Sequence, residues 1–95
     1  MKQSLIDLPL SVLDFVKFTE GMTKVELINF GESLKLKLKD EPTAKGSELY
    51  PIGYEIEHLI HFIRQINWYL QTSVYPGALR NYDEILFREV ISRYQ

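Results

Sequence analysis

Apolar and polar positions alternate through residues 24–39, KVELINFGESLKLKLK, and this stretch predicts its own pairing. With Gly31-Glu32 as a two-residue turn, Phe30 faces Ser33, Ile28 faces Lys35 and Glu26 faces Lys37. The alternate set pairs Asn29 with Leu34, Leu27 with Leu36 and Val25 with Leu38, so one face is almost wholly apolar. Glycine at the first turn position suits a type II′ turn, whose twist matches that of the flanking strands. A slip of one residue would send the lysines into the core, which fixes the register. The expectation is an antiparallel β-hairpin in which Glu26 and Lys37 form a cross-strand pair worth about 0.2–1 kcal/mol.

Helical periodicity surrounds this segment. Residues 7–20 predict a helix capped by Asp7, with Pro9 in its first turn and Gly21 as its stop. Leu8, Val12, Phe15 and Thr19, with Leu13 and Val16 beside them, give it a broad apolar face. The β-branched and aromatic residues of positions 11–19 also suit a strand, the rival reading. A polar connector at 40–53 has two prolines and two glycines, and its length marks it as functional or mobile. Residues 54–72 predict the longest helix, with Ile56, Leu59, Ile60, Ile63, Ile66 and Leu70 as the buried stripe and Phe62 and Tyr69 on one flank. After a turn at VYPG, residues 74–77, Asn81 and Glu84 resemble a capping box that opens a last helix. Its apolar face is Ile85, Leu86, Val90, Ile91 and Tyr94. The short connection favours antiparallel packing of these two helices.

The predicted fold is therefore α+β, in the order α-β-β-α-α: one compact domain over residues 1–95, with the hairpin, or three strands, packed on two or three helices. A two-stranded hairpin is marginal alone. Its open edges, guarded by Lys35, Lys37 and Lys39, would offer a route to a homodimer by edge pairing.

Composition narrows the function classes. The chain has 95 residues, 45% of them hydrophobic, which is ordinary for a globular domain. A net charge of −2 supplies no global basic field for nucleic acid. The absence of cysteine excludes disulfides, thiol catalysis and zinc–cysteine sites, and fits a reducing cytoplasm. No apolar run approaches the roughly 20 residues that span a bilayer, and the N-terminus lacks the pattern of a signal peptide. The expectation is a cytoplasmic protein without a membrane segment. An initiator Met1 and a helix running toward Gln95 are what a complete chain would show.

Four groups of residues carry candidate chemistry. Glu57, His61, Arg64 and Trp68 are spaced four, three and four along the outward side of the long helix. Trp and Arg are the types enriched in binding hot spots, but for each residue taken alone the structural reading is favoured: Trp68 against the last helix or the VYPG turn, and Arg64 paired with Glu57 or another nearby acid. Tyr50, Tyr54 and Tyr75, in or beside loops, are further candidates for a recognition surface, Tyr50 and Tyr54 extending this one through the 40–53 connector. The lysines at 35, 37 and 39, with Phe30 beside them, could contact phosphates as sheet-based nucleic-acid binders do, but Glu26, Glu32 and Asp40 dilute their field. The run Glu57-His58-x-x-His61 places potential metal ligands on one helix without the HExxH order or a third ligand. No nucleophile elbow, SxxK motif or glycine-rich phosphate cradle is present.

These features favour a small protein–protein interaction module, such as a regulator, inhibitor or assembly subunit, that binds another protein and needs neither cofactor nor metal. The runner-up is a nucleic-acid-binding module using Phe30, Lys35, Lys37 and Lys39. A small oligomeric enzyme centred on His58 and His61 ranks third.

Overall fold

A computed structural model describes residues 7–77 and 79–95 of the chain. Helices α1 (Val12–Phe18), α2 (Lys24–Leu38), α3 (Gly53–Thr72) and α4 (Asn81–Ser92) form the body, with a short 3₁₀ turn at Tyr50–Ile52 leading into α3. The fold is all-helical, and no strand occurs among the described residues. The expected hairpin at 24–39 is helix α2, so the α+β assignment is overturned. The hairpin edges go with it, and so does the edge-paired homodimer.

Local chemistry explains the outcome. The Thr23 hydroxyl accepts the Glu26 N–H at 3.2 Å, and the Glu26 carboxylate accepts the Thr23 N–H at 2.9 Å. This reciprocal capping box satisfies two of the donors that a helix start leaves open. It also holds the Glu26 carboxyl below its ordinary range, chiefly through the Thr23 backbone bond. Leu27, Gly31, Leu34 and Leu38 then recur at intervals of four, three and four and are buried on one face. Val25 and Leu36, which strand alternation would bury, are 66% and 68% exposed.

Gly31 is not a turn residue but the closest approach of α2 to α3. A Cβ there would lie 2.9 Å from Ile63 Cγ2 and 3.1 Å from Asn67 Nδ2. Asn67, buried on α3, donates through Nδ2 to Glu32 at 2.9 Å and to the Ile28 carbonyl at 3.4 Å. α3 has the predicted stripe, with Ile56, Leu59, Phe62, Ile63, Ile66 and Leu70 buried and Ile60 and Tyr69 half-buried. It packs against each of the other three helices.

α1 is a helix rather than a strand, but shorter than expected. Ser11, not Asp7, caps it by accepting the Asp14 N–H at 3.1 Å. Gly21, with φ of +84°, provides the left-handed stop that glycine adopts without strain. Arg93, just after α4, closes the other end of α1. Its guanidinium donates to the Val16 carbonyl at 2.8 Å and to Thr19 Oγ1 at 3.1 Å, while the Tyr94 hydroxyl donates to the Met22 carbonyl at 2.9 Å.

The two long connectors are held by specific contacts. Residues 40–53 fold onto the start of α3: Leu49 is buried, Pro42 lies against Gly53, and the Ser47 hydroxyl bridges the Glu41 carboxylate and the Leu49 N–H. The α3–α4 connector runs back along α3, so α4 begins beside Tyr54 and His58 instead of beside the C-terminal end of α3. The two helices are therefore not an antiparallel hairpin. Within α4, Phe87 takes the central buried place, while Ile85 points outward at 73% exposure.

Candidate functional site: the outward face of α3

The helical spacing of α3 turns Glu57, His61, Arg64 and Trp68 away from the core, and the neighbouring elements divide this line into two sites. At its N-terminal half, Tyr54, Glu57, His58, His61 and Arg80 line a small cleft of about 110 Å³. Arg80 Nη1 donates to the Tyr54 hydroxyl at 3.0 Å, with the guanidinium 6.0 Å from the Tyr54 ring centre. His58 Nε2 lies 2.7 Å from Asp83 Oδ2, and the Asp83 side chain is only 3% exposed. This pair ties the start of α4 to α3, a role in which a buried carboxylate gains a charge-capable partner. His61 points to Gln65, with Nε2 of the two residues 3.4 Å apart. Among the described residues, no three His, Asp or Glu side chains converge as metal ligands.

The C-terminal half of the line is larger and more open. Arg64 lines three adjoining hollows. One, about 420 Å³, lies between α3 and the following loop and is walled by Gln65, Trp68, Val74, Tyr75, Pro76 and Gly77. The second, about 250 Å³, is walled by Glu32, Lys35, Asn67, Trp68, Gln71 and Thr72. The third, about 200 Å³, is walled by Glu32, Lys35, Leu36, Lys39 and Ile60. Trp68, 51% exposed, is the ridge between the first two.

The walls are held in place from behind. Ser73 leaves the helix in the left-handed region, and its N–H bonds the Tyr69 carbonyl at 2.8 Å. Thr72 Oγ1 donates to the Trp68 carbonyl at 2.7 Å and accepts the Val74 N–H at 3.1 Å. Tyr75 packs edge-on to Tyr69 and Phe87, at 6.0 and 5.3 Å between ring centres, and the Arg88 guanidinium lies 5.2 Å from its ring centre. On the α2 wall, Glu32 accepts from Asn67 and pairs with Lys35 at 3.1 Å. Those two bonds, Asn67 first, hold its carboxyl below the ordinary range.

The sequence-predicted residues are thus redistributed. Arg64 and Trp68 stay together, and Lys35 and Lys39 join them from α2. Glu57, His61 and Tyr54 belong to the smaller cleft, while Tyr50 is exposed on the 3₁₀ turn and lines neither site. Lys37, two residues from Lys35, leaves this face because residues two apart on a helix do not share one. Phe30 stacks on Phe18 and Phe15, at 5.0 and 6.0 Å between ring centres, and serves packing. Strand alternation conceals Glu32 and Leu36, while Asn67 stands beside the apolar stripe of α3 with no spacing signal of its own. The Glu32, Lys35, Leu36, Lys39 spacing of three, four and seven is the helical signal that would have found the first two.

No family model matches the chain, and no match emerged among curated proteins or solved structures. No helix among the described residues is long and apolar enough to cross a membrane.

Proposed function

We propose that this chain is a protein–protein interaction module, a regulator, inhibitor or assembly subunit rather than a catalyst, and that it binds through the face centred on Arg64 and Trp68. The observation that carries the reading is Trp68, half exposed on a rigid helix between two hollows, with Arg64 lining both. Aromatic and Arg side chains beside ready-made depressions are the usual anchors of a binding face, because they desolvate much surface at little conformational cost. A cytoplasmic setting belongs to the proposal and is supported by the cysteine-free composition. The nucleic-acid reading loses its coherence, since Phe30 is engaged in packing and Lys37 lies apart from Lys35 and Lys39.

Trp68→Ala and Arg64→Ala test the proposal. Each should weaken capture of the protein partner from the native source about tenfold or more, equivalent to about 1.4 kcal/mol or above. The far-UV circular dichroism should stay helical, because neither side chain is buried in the core. Unchanged capture by both folded variants would refute it.

A further inference from the structure

We infer that the occupant of the α2–α3 face is an acidic amphipathic helix of the partner protein, of about three turns. The inference rests on the reading of this face as a protein-binding surface and adds the chemistry of what binds.

Charge comes first. The chain carries −2 overall, yet this face gathers Lys35, Lys39 and Arg64 against one carboxylate, Glu32. That carboxylate is already engaged by Asn67 and Lys35. Among the described residues, neither Lys39 nor Arg64 lies within ion-pair distance of a carboxylate, and the longer-range pull of Arg64 on Glu32 still leaves three cations against one acid. A local positive surplus on an acidic protein attracts acidic segments and repels basic ones.

The cations also frame apolar ground. Leu36 lies between Lys35 and Lys39 in sequence and is largely exposed, Ile60 faces it from α3, and Trp68 and Val74 continue the strip. A phosphate backbone has no use for such a strip, whereas an amphipathic segment does. From Ile60 to Thr72 the hollows, apolar and polar walls together, follow α3 for about 18 Å, at 1.5 Å per residue, the length of about twelve helical residues. No sheet edge exists among the described residues to pair with an extended peptide. A helix satisfies its own backbone hydrogen bonds and sets apolar and acidic residues three and four apart on one face, which suits a groove that runs along α3.

The test is selection of binders from a displayed library of random 16-residue peptides on the immobilised full chain. Clones should be enriched in Asp and Glu, with aliphatic or aromatic residues three and four apart. Their affinity should fall as salt rises, because the charges that meet remain near solvent. Charge reversal at Arg64→Glu with Lys39→Glu, and separately Trp68→Ala, should each weaken them about tenfold or more. Clones without acidic enrichment that still need Trp68 would overturn the acidic helix and leave the protein-binding face standing. Clones indifferent to Trp68 and Arg64 would remove the face itself. Recovery of no peptide would overturn the inference. So would binding, through these same residues, of a 12-nucleotide oligouridylate or of phosphatidylserine vesicles, since phosphate would then be the ligand.

Discussion

Glu32 shows how a single side chain can belong both to the packing and to the binding face. It receives the Asn67 amide from α3 and the Lys35 ammonium from its own helix, and both favour its charged form. Its folded pKa is lowered, so the unfolded chain binds the proton more readily. The stabilisation is then present above the ordinary glutamate range and is lost as pH falls through that range toward the folded value. Glu32 is about half exposed, which screens the effect and keeps it small. Urea midpoints measured between about pH 5 and about pH 3 should fall more steeply for the native chain than for Glu32→Gln. A residual slope should persist in the variant, because the Glu26 carboxyl in the α2 cap is lowered too. Parallel slopes would mean that the Asn67 contact does not favour the ionised form.

At the scale of elements, α3 was legible in the sequence and α2 was not, and the same rule separates them. α3 repeats its apolar residues at three and four without interruption, so only a helix buries them together. In α2 the run Leu34, Lys35, Leu36, Lys37, Leu38 imitates a strand, and one glycine supplies an apparent turn. What decided the outcome was less conspicuous: Thr23 with Glu26 three residues on, and a buried row that uses Gly31 as one of its members. Reading Gly31 as conformational freedom, instead of as missing bulk at a helix crossing, reversed the secondary structure of the whole segment. The consequence for the site was partial. Arg64 and Trp68 follow from the α3 spacing, whereas the sequence pattern presents Lys35 and Lys39 as members of a strand. Strand alternation places Leu36 in the core, and it is instead exposed beside Ile60. Thr23→Ala separates the two secondary structures. It removes the helix cap and should lower stability by about 1 kcal/mol, read from the urea midpoint at unchanged slope. In a hairpin, Thr23 would lie outside the strands and the change would cost little.

For the whole molecule, the decisive arrangement is the distance between the end of α3 at Ser73 and the start of α4, where Arg80 meets Tyr54 at the opposite end of α3. It sets α4 across the body so that its first turn meets His58 and its end meets α1. Eight residues between two helices ordinarily mean neighbours running in opposite directions, and the sequence has no short-range signal against that outcome. The tertiary partners override it: Asp83 for His58, Phe87 among Tyr69 and Tyr75, and Arg93 for the end of α1. These partners are far apart in the chain, which is why periodicity within each helix could not reveal them.

The Arg93 contacts span sequence separations of 74 and 77 residues, nearly the full length of the chain. Closing so long a loop costs entropy, so the clasp is expected to form after the helix packing that brings its two ends together. Removing it should leave the barrier to folding almost untouched and lower the barrier to opening. In stopped-flow experiments, Arg93→Ala should therefore unfold several-fold faster while its refolding limb overlays that of the native chain. A slowed refolding limb would instead place the meeting of the two chain ends in the nucleus. With an overlaid refolding limb and faster unfolding, the clasp would be a kinetic lock, setting how long the folded molecule lasts rather than how quickly it forms.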